Sequence, residues 1–118
     1  MRYYYKLVSK QDVTRSFVVN KHAVSHFFNV PLSQHGDEAI VYLKRSLTSE
    51  FEPVVLVLHQ DCRLLIKNKD FEIGDIVYFE KIESRRFFFK VIKSSNEISL
   101  IKQRLQKSNY YLSDKNII

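Results

Sequence analysis

Two stretches decide the fold: Ile76-Val77-Tyr78-Phe79-Glu80-Lys81 and Phe87-Phe88-Phe89-Lys90-Val91. Both are dense in β-branched and aromatic residues, which fit a pleated, half-buried surface. Glu83-Ser84-Arg85 between them suits a tight turn, so the pair is expected to be a hairpin. Moving toward the N-terminus, Val54 to His59 reads as a strand. Pro53 stands at its start, where a missing N–H does least harm. Gln60-Asp61 then turns, and Arg63 to Ile66 forms another short strand. Upstream, Ala39, Val41 and Leu43 alternate with Ile40, Tyr42 and Lys44 in a strand from Glu38 to Lys44. That double-sided pattern predicts burial on both faces for part of its length. Ser46 to Glu52 is a polar turn.

The N-terminal third reads similarly. Tyr3 to Val8 is a first strand, broken by the turn-formers Ser9-Lys10-Gln11-Asp12, and Phe17-Val18-Val19 is a second. Asn20 is placed to cap a helix over Lys21 to Phe28, with Ala23, Val24, Phe27 and Phe28 on its apolar face. Asn29 to Asp37, with Pro31 and Gly36, reads as a loop. At the other end, Ile98 to Leu105 is amphipathic and favours a C-terminal helix over a last strand, and Ser108 to Ile118 reads as a tail. About seven short strands with one or two helices indicate a mainly β (α+β) barrel or sandwich.

The chain has 118 residues, the size of one domain, and is 45% hydrophobic, enough to build a core. A single domain over 1–118 is expected, with the barrel at about 3–93 and a helix or tail at about 94–118. Only two glycines and two prolines exclude collagen-like and low-complexity material. The longest unbroken apolar run, Val54 to Leu58, is far too short to cross a bilayer. No secretory signal pattern is present, because Lys6, Lys10, Asp12 and Arg15 interrupt any apolar segment after Tyr3-Tyr4-Tyr5. The lone Cys62 excludes an internal disulfide and fits a reducing, cytoplasmic compartment.

The formal charge is +6 and the isoelectric point lies near 9.5. A basic excess of this kind points to a polyanion, most often nucleic acid. The charge is also clustered. Residues 1–21 carry Arg2, Lys6, Lys10, Arg15 and Lys21 against Asp12 alone, whereas residues 22–42 contain no lysine or arginine. The 100–118 segment carries Lys102, Arg104, Lys107 and Lys115 against Asp114.

Three stretches, in order, resemble one family. Tyr5-Lys6-Leu7-Val8-Ser9-Lys10-Gln11-Asp12-Val13 resembles the opening of the plant B3 DNA-binding domain, with Gln11 in place of the usual serine before the aspartate. Phe17 to Phe28 is similar to the second strand and first helix of that family, with Asn20 where proline is common. Phe71-Glu72-Ile73-Gly74-Asp75-Ile76-Val77-Tyr78-Phe79 resembles the Leu-x-x-Gly-Asp-x-Val-x-Phe signature. The plant domains also carry a Gly-Trp-x-x-Phe segment, and this chain has no tryptophan. That points instead to the similar DNA-recognition domains of some bacterial restriction endonucleases. The resemblance implies a seven-stranded open β-barrel, the DNA-binding pseudobarrel. Two arms from it grip double-stranded DNA from the major-groove side. Here the N-arm is Ser9 to Ser16 and the C-arm is about His59 to Arg63.

The residue types of those arms agree with such a role. Arg15 and Arg63 can fork onto guanine, Gln11 and Gln60 onto adenine, and Asp61 can accept from cytosine. Lys10, Lys21 and the hydroxyls of Ser9, Thr14 and Ser16 suit phosphates, which position without specifying. His59 completes the candidate set, and it equally fits a strand end. Asp12 is read instead as ordering its own turn, Cys62 as a packed residue, and His26 as a half-buried partner of the barrel. His22 and His26 lack a third ligand, so no metal is assigned, and no cofactor motif is present. The aromatic runs Tyr3-Tyr4-Tyr5 and Phe87-Phe88-Phe89 read as packing rather than as a base-stacking platform.

No Gly-rich phosphate loop, G-x-S-x-G elbow or H-E-x-x-H motif occurs. Glu50 and Glu52 lie in a polar turn without the lysine that a metal-dependent nuclease would need. The chain is therefore expected not to be an enzyme itself, and any cutting activity would reside in a partner nuclease domain or subunit. Two other readings stay open: a phage- or plasmid-type module binding an acidic protein surface, and a single-stranded nucleic-acid binder.

Overall fold

The computed structural model describes residues 1–94, 101, 103, 105 and 108–117. Among the described residues, eight strands, rather than the seven expected, form one curled half-barrel sheet: β1 Tyr3–Leu7, β2 Phe17–Val19, β3 Glu38–Lys44, β4 Glu52–Leu58, β5 Cys62–Leu64, β6 Ile76–Glu83, β7 Arg86–Ile92 and β8 Tyr110–Ser113. Their order across the sheet is β2-β5-β4-β3-β7-β6-β1-β8. All neighbours are antiparallel except β3 and β7, which run parallel with Leu43 opposite Phe87. Two short helices, α1 Lys10–Thr14 and α2 Lys21–Ala23, precede β3, and α2 continues as a π-helical turn over Val24–Phe28.

The hairpin that anchors the sequence reading is β6–β7, paired from Ile76↔Ile92 to Glu83↔Arg86 with an irregularity between Lys81 and Glu83. Arg85 takes φ 61 at its tip. Asn20 caps α2 as expected, its side chain accepting from the His22 N–H at 2.7 Å. The change to π geometry gives the turn two adjacent buried rings, Phe27 and Phe28, on the inner surface of the sheet.

The core follows from the pleat. Alternate residues of β3, β4, β6 and β7 point inward, where Phe79 sits fully buried among Tyr4, Phe17, Phe28 and Phe89, with ring centroids 5.2–6.0 Å away. Strand β1 serves both faces. Tyr4 enters this main core, while Tyr3 and Tyr5 pack with Ile76, Ile101 and Leu105 on the outer side. Phe87 and Phe89 are buried and Phe88 is half-buried, so both aromatic runs are packing elements.

The Gly-Asp turn pins β6 to β1. Gly74 sits at φ 91, a conformation that glycine adopts without a Cβ penalty. Its N–H donates to Val8 O at 3.1 Å, and Val8 N–H donates to Asp75 O at 2.8 Å. The buried Asp75 carboxylate accepts from the Glu72 and Ser94 N–H groups and from Lys93 Nζ. Burial would push this carboxyl up, but those bonds outweigh it and hold it below the ordinary carboxylate range.

Four expectations need correction. The Ser9-Lys10-Gln11-Asp12 break is the start of helix α1, because Asp12 three residues after Ser9 accepts the Ser9 N–H at 2.9 Å and initiates a helical turn. The Ser108–Ile118 tail contains β8, paired with β1 in the register Tyr5↔Tyr111. It covers an edge of β1 that would otherwise leave backbone groups unpaired. Strand β3 is one-sided: Ala39, Val41 and Leu43 are buried, but Ile40 and Tyr42 are 46% and 37% exposed. The Arg86 guanidinium lies 5.9 Å above the Tyr42 ring on that outer face. Strand β5 covers Cys62–Leu64 rather than Arg63 to Ile66, because residues 62–64 are the ones that meet β2 and β4. The expected C-terminal helix is represented by Ile101, Gln103 and Leu105, which are helical. Ile98, Lys102, Arg104 and Lys107 lie outside the described residues. Among the described residues no helix is long and apolar enough to cross a membrane.

Phe79 is the ring that most others touch, so Phe79→Ala should cost about 3–5 kcal/mol in urea unfolding. That is a large part of the roughly 5–15 kcal/mol typical of a domain. A loss below about 1 kcal/mol would mean that the half-barrel is not packed around this ring.

Candidate nucleic-acid interface

The N-arm is built on a buried ion pair. Lys6 Nζ lies 2.6 Å from Asp12 Oδ1, with the two side chains only 3% and 0% exposed. Lys6 also donates to Val18 O at 2.5 Å and stands 4.5 Å over the Phe17 ring. Asp12 in turn accepts the Val18 N–H at 2.8 Å through Oδ1, and the Ser9 N–H through Oδ2. One carboxylate therefore joins the end of β1, the start of α1 and the middle of β2. Burial draws the Lys6 ammonium below the usual lysine range, with Asp12 opposing that shift. Asp12 does order its own turn, as expected, but from inside the protein.

With this anchor in place, α1 presents an outward face. Lys10, Thr14 and Arg15 are exposed, and Gln11 and Ser16 are half-buried. Thr14 spends its hydroxyl on Lys10 O at 2.9 Å, which makes it a poorer phosphate donor than its residue type implied. Lys10, Gln11, Thr14 and Arg15 together line a shallow cavity of about 340 Å³.

The C-arm meets this face. Gln11 Nε2 donates to Asp61 Oδ2 at 3.3 Å, linking the two arms across 50 residues of chain. Asp61 also accepts from Arg63 Nε at 2.7 Å, and this bond is the main reason its carboxyl is held below the ordinary range. Gln60 is exposed at the tip, and the His59 N–H donates to Asp61 O at 2.9 Å to close the turn. The His59 ring lies 5.1 Å from that of His35. Arg63 belongs to β5, paired with Val18 and Val57, so a strand rather than a loop orients it. Its Nη groups make no hydrogen bond among the described residues and keep their forked donor geometry.

The remaining candidates are placed as follows. Ser9 opens α1, and its N–H and hydroxyl both donate to Asp12. Lys21 is exposed at the first position of α2 and lowers the thiol pKa of Cys62, although burial outweighs this and pushes that thiol up. Cys62 is therefore a packed residue. His26 is exposed rather than half-buried, because the π turn rotates it outward to lie 4.2 Å from His22. Among the described residues, no three His, Cys, Asp or Glu side chains group where they could hold a metal.

Sequence reasoning missed the segment after β5. Lys69 Nζ donates to the carbonyls of Val13 and Arg15 and closes the C-terminal end of α1. The signal was present in Lys67-Asn68-Lys69-Asp70, a basic group of turn-forming residues between two apolar stretches. Nothing local connected it to a helix more than fifty residues away.

Asp12→Ala should destabilise the protein by about 3–5 kcal/mol, since it leaves an ammonium buried without its counter-charge. Lys6→Met should cost less, because Asp12 would still hold the Ser9 and Val18 N–H groups. Urea unfolding ranks the two variants, and hydrogen exchange at residues 9–19 should show the N-arm loosening first. Equal losses, or unchanged exchange in the arm, would remove the pair from its organising position.

No protein-family model matches the chain, and no curated protein matches it. Among solved structures, it is similar to the N-terminal domain of Helicobacter pylori LlaJI.R1, at 18% sequence identity and a TM-score of 0.79, covering 98% of this chain and 100% of that one. At that level of identity the likeness is one of fold, and it extends over essentially the whole of both chains.

Proposed function

We propose that this protein binds double-stranded DNA sequence-specifically, inserting its N-arm and C-arm into the major groove in the manner of a B3-like pseudobarrel. The observation that carries this reading is the convergence of the arms, joined by the Gln11–Asp61 bond at 3.3 Å with Lys10, Arg15, Gln60 and Arg63 around it. These residues mix base-reading forks with phosphate-seeking cations on rigid supports, α1 and β5. Such support is what a readout surface needs, since a fork that drifts cannot distinguish guanine from adenine. The fold shared with the N-terminal domain of LlaJI.R1 adds weight to a role in target recognition within a restriction–modification system. A stand-alone regulator would use the same surface. In the first setting the cutting residues belong to another domain or subunit, and this domain supplies the address.

In this reading, Arg15 and the Arg63 Nη pair approach base edges. Gln11 and Gln60 offer amide pairs for adenine, and Lys10, Lys21 and the Ser16 hydroxyl meet phosphates, whereas the Ser9 hydroxyl is already given to Asp12. Asp61 holds Arg63 in place and is the acceptor for a cytosine amino group. The buried tyrosines and phenylalanines leave little aromatic surface for unpaired bases, which favours duplex over single strands.

Selection from a randomised duplex pool, followed by mobility shifts, tests the proposal. One short motif should be enriched, and affinity for it should fall with salt at a log–log slope of about −0.9 for each phosphate neutralised. Arg15→Ala and Arg63→Ala should each cost about 1–3 kcal/mol on that motif and relax a single base position. Absence of duplex binding at modest salt would turn the reading toward a module for an acidic protein surface. Tighter binding of unpaired oligonucleotides would overturn it as well.

A further inference from the structure

The segment from Ile66 to Asp70 is strapped into the molecule from two sides. Lys69 ties it to the end of α1 through the carbonyls of Val13 and Arg15. Arg45 ties it to the end of β3, donating to Asp70 Oδ1 at 2.9 Å and to Asn68 O at 2.7 Å. Lys93 Nζ adds a bond to Asp70 O at 2.9 Å. A surface loop with this many charged braces is held in one shape. Beside it lies a groove of about 330 Å³ lined by Arg15, Ser16, Lys67 and Lys69 over a floor of Leu64, Leu65 and Ile66. Among the described residues, three cations and a hydroxyl rim the groove and no carboxylate lines it. Lys67 is exposed and has no partner among the described residues.

We infer that this groove holds the phosphate backbone of duplex DNA flanking the bases that the arms read. The inference rests on the duplex-binding reading and extends its footprint. Arg15 belongs to both surfaces, so a duplex engaged by the N-arm passes directly over the groove. Lys69 has already spent hydrogen bonds on two carbonyls, so its part is to fix the groove wall and add charge. Lys67 is the free ammonium that meets a phosphate. The half-exposed Leu65 suits the apolar edge of a deoxyribose. A contact of this kind positions the duplex without selecting its sequence.

The test uses the motif recovered by selection, in one duplex trimmed to the motif and another extended by roughly six base pairs on each side. The wild-type protein should prefer the longer duplex. Lys67→Ala should weaken binding to the longer one roughly threefold to tenfold, reduce the salt slope by about 0.9, and do so equally for cognate and scrambled sequences. Lys67→Glu should abolish the length preference. Because Lys67 is exposed, thermal unfolding of both variants should match the wild type, separating a lost contact from a lost fold. If the wild type binds duplex but Lys67→Glu keeps its length preference, the flanking contact is wrong and the arm-based reading stands. A Lys67 effect confined to one base position would also overturn it, in favour of base readout. Failure of the wild type to bind any duplex would remove both proposals together.

Discussion

The Lys6–Asp12 pair is the constraint on which the candidate interface depends. Neither charge reaches water, so each must find the other or raise the energy of the fold by several kcal/mol. The pair forms only when β1, α1 and β2 are all in place, because Asp12 also accepts backbone N–H groups at Ser9 and Val18. A cluster of apolar residues could fill the same space, and often with equal or greater stability. It could not fix the direction in which α1 points. The directional bonds of one carboxylate turn an otherwise plain crossover between two strands into a rigid prong.

Rigidity then passes outward in steps. Asp12 sets α1, Lys69 closes its C-terminal end, and Gln11 reaches Asp61 on the opposite arm. Asp61 in turn orients Arg63, which the pairing of β5 with β2 and β4 already holds in register. Beyond the buried Asp12, each bond in this chain is exposed or part-buried, and singly worth little. Their value lies in order: the candidate interface is pre-organised, so less conformational entropy would be lost if a partner docked there.

The aromatic residues serve a different purpose. Sixteen of them would be an extravagant binding surface, but most of the large ones are buried around Phe79 or on the outer face of β1. Their edge-to-face packing fills a sheet that curls without closing. That leaves the exposed surface near the arms to cations, amides and hydroxyls.

Much of this was legible in the chain alone. The β6–β7 hairpin, the capped helix after Asn20 and the buried aromatic runs follow from local patterns, because period-two alternation and side-chain capping act over a few residues. The ordered Lys6, Asp12 and Gly74-Asp75 positions also carry the resemblance that suggests two arms. What the sequence could not decide is what distant segments do to one another. Ser9 to Asp12 has turn-forming composition, and the Asp12 carboxylate, held by the distant Lys6 and Val18 as well as by the Ser9 N–H, starts a helix there. Tyr110 to Ser113 becomes a strand because β1, far away in the chain, offers an open edge. Ile40 and Tyr42 look fit for a core, and are exposed because, among the described residues, no layer covers that side of β3. Lys69 is one more charged loop residue until the fold brings it against Val13 and Arg15. Local chemistry fixed the elements, whereas the pairing of charges, edges and faces far apart in the chain was settled only when the sheet curled.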